Sequence, residues 1–257
     1  MKHDVVLAGV GGQGVLSVAA ILAEAARRLG TPEARLWTRA WGVDVEALAP
    51  ARSWTDRRGG AGDPLRILWT RVLSPLYDPG TFLRGLGLLA GRGVAFTATL
   101  AGDGPLRSRL LTLARSLGIS EQVRFEGWVG ETRLRELLAA HAVYVSTSRS
   151  DSTSQSLLEA MASGLLPVVS DIPGNREWVI HRGSGLLVPT GDAEALAAAL
   201  LEAAEGSGAE EMAGAARATA SRRARFADTV DGLLRRLEAL ASGRRERVED
   251  EPPAAVR

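Results

Sequence analysis

Ser150-Asp-Ser-Thr-Ser-Gln-Ser-Leu-Leu-Glu159-Ala-Met-Ala-Ser-Gly164 carries a carboxylate at Asp151 and a second, eight positions on, at Glu159. Between them runs a string of hydroxyl residues, followed by an apolar helical stretch that a glycine ends. Hydroxyls and free backbone N–H groups at a helix start suit a phosphate, because both donate toward a negative charge. A carboxylate inside the helix can accept from two sugar hydroxyls at once. Residue types in this order point to a pocket for a nucleotide-sugar.

Outward from this stretch, short apolar runs alternate with helical-period segments. Strands are predicted at residues 5–8, 65–70, 95–101, 123–126, 143–147 and 167–170, with a further one at 35–38. Helices are predicted at 15–29, 81–90, 106–117, 133–140, 156–162 and 193–204, and a helical, Arg-rich pattern covers 210–240. Asp78-Pro79 reads as an N-cap with proline at the first helical position, Asp192 as another N-cap, and Gly118 as a helix stop. Residues 51–64 read as a polar Gly/Arg-rich loop. Residues 244–257 are charged and proline-bearing, as expected of a disordered tail. Such alternation predicts an α/β fold, a doubly wound, Rossmann-like parallel sheet with ligands at the carboxyl ends of its strands.

Composition narrows the chemistry. The 257 residues are 46% hydrophobic and 24% charged, enough for a sizeable core, and the net charge of +1 gives no field that would favour nucleic acid. No cysteine is present, which removes disulfides, thiolate metal sites and cysteine nucleophiles. The histidines His3, His141 and His181 are scattered, so neither a metal cluster nor a histidine triad is expected. His141 reads as a core or surface histidine. Lys2 is the only lysine among many arginines. No apolar run reaches membrane-spanning length and no signal-peptide layout is seen, so the expected location is cytoplasmic. Arg222-Arg223-Ala-Arg225 reads as a solvated helix face, with peripheral contact to anionic lipid headgroups as the alternative.

Two resemblances divide the chain. Gly9-Val-Gly11-Gly-Gln-Gly14 follows a strand, precedes a helix and satisfies the G-x-G-x-x-G pattern. The acidic residue a dinucleotide reader needs falls at Glu33, before the 35–38 strand instead of at its end, which favours a tight turn without ligand. Residues 3–26 resemble the start of the gamma-type domain of 2-oxoacid:ferredoxin oxidoreductases of the indolepyruvate kind. That resemblance stops near residue 29; Arg57-Arg58-Gly59-Gly60 only poorly echoes the Gln-Arg-Gly-Gly segment of that family.

From about residue 35 to residue 201 the chain resembles the carboxyl-terminal, donor-binding half of retaining glycosyltransferases of the GT-B fold, the group-1 or family-four class. The resemblance rests on Trp41-Gly-Val-Asp44, Leu68-Trp-Thr-Arg71, Gly102-Asp-Gly-Pro105 and Phe125-Glu-Gly-Trp-Val129, on Asp151 to Glu159, and on Leu158 to Gly164. Pro167-Val-Val-Ser-Asp171 and Gly183-Ser-Gly-Leu-Leu187 complete it. It implies that Glu159 binds the ribose hydroxyls, Asp151 the donor sugar and Arg71 the diphosphate. It also implies that Thr153, Ser154, Gln155 and Ser156 meet the diphosphate. Gly102 and Gly104 would line the nucleotide, and Gly127, Trp128 and Val129 would lie by the base. Edge packing is the other reading of Trp128, and plain N-capping is compatible with phosphate binding at Ser154. No cofactor or metal is implied beyond the nucleoside diphosphate sugar as donor substrate; the acceptor would be a saccharide, lipid or small molecule.

The sequence departs from that family's pattern at three places. Aspartate replaces glutamate at 151, serines replace glycines at 152 and 154, and Leu76 stands where a lysine is usual. Ser152 and Ser154 require the backbone there to avoid positive φ. Arg149 or Arg176 are candidates to replace the missing cation, and Pro75-Leu-Tyr77 is a pattern found in part of the class. The expected organisation is a strand–loop–helix segment of other origin over 1–34, a nucleotide-sugar domain over 35–205, helices over 206–242 and a tail beyond. With about forty residues before Trp41, an acceptor domain is expected to be missing, a seam is expected near Gly30–Ala34, and the chain alone is expected to bind donor with little transfer. A 2-oxoacid oxidoreductase subunit and a non-catalytic nucleotide-sugar-binding module are the rival readings.

Overall fold

In the computed structural model, the structure describes residues 42–60, 62–206 and 208–241. The predictions for residues 3–38, including the glycine motif at 9–14, and for the tail at 244–257 lie outside the described residues. The chain divides into two compact units. One runs Gly42–Arg225; the other includes, among described residues, the 16-residue helix Phe226–Ala241.

The Gly42–Arg225 unit is a six-stranded parallel sheet in the order β3-β2-β1-β4-β5-β6. Its strands are β1 (Leu65–Trp69), β2 (Phe96–Ala101), β3 (Val123–Gly127), β4 (Val143–Ser146), β5 (Leu166–Ser170) and β6 (Leu186–Val188). The helices are α1 (Trp54–Arg58), α2 (Pro79–Gly91), α3 (Arg107–Ser116), α4 (Glu131–Ala140), α5 (Gln155–Ala162), α6 (Pro173–Arg176), α7 (Ala193–Glu205) and α8 (Ala209–Arg223); the helix of the other unit is α9. The predicted strands within these residues are all present, with β6 in addition. Strands β4 and β5 are buried at every position, as parallel strands covered by helices on both faces must be. Leu65, Ile67 and Trp69 of β1 form one core with Phe82 and Leu86 of α2 and Leu196 and Leu200 of α7, and Trp69 stacks on Phe82 at 5.2 Å between ring centres.

Local sequence sets the helix ends. The Asp78 carboxylate accepts from the Thr81 backbone and hydroxyl at the start of α2, and the Asp192 carboxylate accepts from Ala195 N–H at the start of α7. Gly164 at φ 69° closes α5, with Leu165 N–H returning to the Ala160 carbonyl at 3.0 Å. The 51–64 loop is corrected: Ser53–Arg58 holds a capping box and one helical turn and a half, because Ser53 and Asp56 satisfy each other's backbone N–H. The helical pattern over 210–240 divides into two helices, since the chain leaves helical geometry at Ala224, whose carbonyl accepts from Val43 N–H at 2.7 Å. Strand order reverses between β1 and β4, which leaves a crevice at their carboxyl ends.

Candidate functional site

The crevice is walled by the loop after β1 and the loop that leads from β4 into α5. One local and two long-range hydrogen bonds fix the first wall. The Trp69 indole N–H donates to the Arg71 carbonyl at 3.3 Å, Leu73 N–H donates to the Asp103 carbonyl and Leu106 N–H to the Leu73 carbonyl. Gly102 is required here: a Cβ on it would lie 2.1 Å from the Arg71 carbonyl oxygen. Gly104 similarly backs onto Leu73. These two glycines therefore act on the Arg71 loop, whose shape depends on their lack of a side chain. The second wall is tied to the first by Thr147, whose hydroxyl donates to the carbonyls of Tyr77 and Asp78, and by Arg149 N–H, which donates to the Leu76 carbonyl.

Arg71 and α5 meet across the crevice. Arg71 Nη1 donates to the hydroxyls of Ser154 at 3.0 Å and Ser156 at 2.9 Å, and Nη2 is paired with the Asp151 carboxylate. Its guanidinium carbon lies 4.1 Å from the centre of the Tyr77 ring. Ser154 also caps α5 by accepting from Leu157 N–H at 3.3 Å, so both readings of that hydroxyl fit one geometry. Ser154 has φ −78° and Ser152 is likewise outside the positive-φ residues, so the serines at glycine positions cost no backbone strain. Asp151 Oδ1 accepts from Ser152 N–H at 3.0 Å, and Thr153 is half-buried beside it. Gln155 points elsewhere: its Nε2 donates to the Gly42 carbonyl at 3.0 Å, on the flank of the crevice.

Glu159 sits one turn into α5. Burial pushes its carboxyl up to about 7, opposed in part by the Arg71 guanidinium. At neutral pH the fold therefore holds it between its two protonation states, close to a cation that favours the ionised one. Neither candidate for the missing cation is unengaged: Arg149 pairs with Asp78 at 2.8 Å, and Arg176 with Asp171. Leu76 is exposed on the short turn Pro75–Tyr77.

At the far end of the sheet, Gly127 turns at φ 76° and bridges to Gly102. Trp128 is 82% exposed, which rules out edge packing as the reason for its size, and Val129 beside it is half-buried. Arg107, which the sequence did not single out, lies beneath this turn, with Nη2 donating to the Phe125 carbonyl at 3.4 Å and Nη1 buried without a hydrogen-bond partner. The GPLR run at 104–107 gave no separate signal for it. His141 is a core residue remote from the crevice, as read: its ring bonds the Leu137 carbonyl and the Thr99 hydroxyl, and burial lowers its pKa. The Arg222–Arg225 run is less solvated than read, since Arg223 stacks on Trp178 at 4.6 Å and Arg225 pairs with Glu46.

Among the described residues no helix is long and apolar enough to cross a membrane, and no three His, Cys, Asp or Glu residues stand together as metal ligands would. The family model for glycosyl transferases group 1 matches residues 60–221. The chain is 42% identical over 102 residues to the lipopolysaccharide core biosynthesis glycosyltransferase LpsE of Rhizobium meliloti, covering 39% of this chain and 29% of that one. It is 29% identical over 191 residues to the amylovoran biosynthesis glycosyltransferase AmsK of Erwinia amylovora, covering 68% and 47%. It spans less than half the length of both relatives. Among solved structures, Anabaena HepE in complex with UDP superposes with a TM-score of 0.72 at 21% identity, over 84% of this chain and 61% of that one. The carboxyl-terminal domain of a group 1 protein from Francisella tularensis superposes with a TM-score of 0.63 at 17% identity, over 71% of this chain and 98% of that domain.

Proposed function

The chain belongs to group 1 of the glycosyl transferases and carries the carboxyl-terminal half of a GT-B fold, and from that premise we propose that its β1–β4 crevice binds a nucleoside diphosphate sugar for sugar transfer with retention. The observation that carries the reading is the convergence of Arg71 and the Ser154 and Ser156 hydroxyls at the start of α5. Donors gathered at a helix amino terminus suit a diphosphate, and a fixed cation stabilises the charge that grows on it as the glycosidic phosphate bond breaks. In this reading the acceptor oxygen bonds the anomeric carbon while the diphosphate leaves, and the acceptor proton ends on the diphosphate or solvent. Glu159, when ionised, accepts from the ribose hydroxyls, and Asp151 meets the donor sugar. Thr153 and the first N–H groups of α5 complete the diphosphate cradle, and Gly127, Trp128 and Val129 border the base. The donor is a substrate, and the reading gives the chain no resident cofactor or metal.

The acceptor is a saccharide, a lipid or a small molecule, in keeping with relatives named for polysaccharide and lipopolysaccharide synthesis. The proposed location is cytoplasmic, with peripheral membrane contact if the acceptor is lipid-borne. HepE is described with UDP, which makes UDP the first nucleotide to test. Calorimetry with UDP, GDP and ADP is expected to show one of them binding the wild type, and Glu159→Ala is expected to abolish that binding. Failure of the wild type to bind any of the three would sink the reading.

A further inference from the structure

We propose that Tyr77 is a positioning residue for diphosphate recognition: its ring face orients the Arg71 guanidinium. This deepens the donor-site reading and rests on it. The guanidinium carbon lies over the ring face, 4.1 Å from its centre, while the hydrogen bonds to Ser154, Ser156 and Asp151 engage both Nη atoms from α5 and the loop before it. Arg71 Nε is buried and has no hydrogen-bond partner, so the ring face is the contact that holds the group beside the bonds at the two Nη atoms.

Tyr77 is itself placed from both walls. Its carbonyl accepts from the Thr147 hydroxyl at 3.1 Å, its N–H donates to the Ser74 carbonyl, and its ring packs against the hydrophobic core. The next residue, Asp78, takes a left-handed turn at φ 44° and is held by Thr81 and Arg149, which pins the end of the Pro75–Tyr77 turn. The chain thus immobilises the ring before any ligand arrives. A guanidinium already oriented on a fixed ring loses less side-chain freedom when it meets a phosphate than one that must be ordered by it.

The test compares each nucleoside diphosphate with its own nucleoside on the 257-residue chain, using calorimetry for UDP, GDP and ADP and NMR titration for uridine, guanosine and adenosine. The ratio of the two affinities isolates what the diphosphate adds. Tyr77→Leu is expected to shrink that ratio about tenfold and leave nucleoside affinity within twofold, while Tyr77→Phe keeps the ratio, since the ring face and not the hydroxyl is at work. Tyr77→Met, which fills similar volume without a ring, gives the same readout if Tyr77→Leu does not fold. An unchanged ratio in the Leu or Met variant, equal weakening of both ligands, or a loss in Tyr77→Phe as large as in Tyr77→Leu overturns the proposal while leaving the donor site standing. A wild type that binds no nucleoside diphosphate overturns the donor-site reading and this inference together.

Discussion

Helix α5 meets an arginine at each end, Arg57 buried and Arg71 half-buried, and the two ends are built differently. At its carboxyl end Arg57 reaches in from α1 and donates to the carbonyls of Ser163 at 3.0 Å, Gly164 at 2.5 Å and His141 at 3.1 Å, with Nε on Ser53. Unsatisfied carbonyls and the negative end of the helix dipole both favour a cation there. At its amino end Arg71 faces the positive end of the same dipole, where a cation is disfavoured unless an anion shares the place. Asp151 supplies that anion in the structure, and a diphosphate would supply it in the proposed complex. One end is thus a closed structural clamp, and the other, in the proposed complex, an anion site where diphosphate replaces Asp151. Burial lowers the Arg57 pKa to about 10, with the Arg217 and Arg52 charges adding to the fall, and it still leaves the group charged at neutral pH.

The comparison breaks most sharply at the clamp. Arg57→Met should cost about 3–5 kcal/mol in urea denaturation, because three buried carbonyls lose their donor together. A cost below about 1 kcal/mol would mean that the clamp is dispensable and the contrast misplaced. Next comes Glu159. Its folded pKa of about 7 lies above the ordinary 4.5, so the fold disfavours its ionised form. Stability is full below about pH 4.5 and is lost as pH rises through about 7. Glu159→Gln should therefore raise stability by up to about 3 kcal/mol at pH 8, with no gain at pH 4, a window that chemical denaturation at the two pH values would show. The smallest effect is expected at Asp151. Asp151→Asn removes the resident anion, should cost about 1 kcal/mol of stability, and should tighten UDP binding severalfold because the phosphate no longer competes. Weaker UDP binding in that variant would show that Asp151 is not a stand-in for phosphate.

Much of this was legible in the sequence because it is local. The Asp78 and Asp192 caps and the Gly118 and Gly164 stops depend on a few neighbouring residues, and each is where the sequence placed it. Helix α1 was not read, since five residues are too few for periodicity, although Ser53-Trp-Thr-Asp56 carries a capping-box spacing. Strand β6 escaped for the same reason at three residues. Arg57 escaped because arginine in a polar, glycine-rich stretch reads as surface, and only the distant carbonyls of residues 141, 163 and 164 make it a core residue.

The sequence by itself determined the alternation of strands and helices and the family pattern, and it singled out Arg71, Asp151, Ser154 and Ser156. Tertiary structure alone decided how they meet. Arg71 and Ser154 are 83 positions apart, and their hydrogen bond exists because β4 docks beside β1 and leaves the crevice at their ends. That order is set by how apolar faces pack across the sheet, a cooperative, long-range property that no local spacing encodes. The same docking gives Gln155 its partner on Gly42, brings Tyr77 under Arg71, and sets Asp151 against the cation rather than in open solvent.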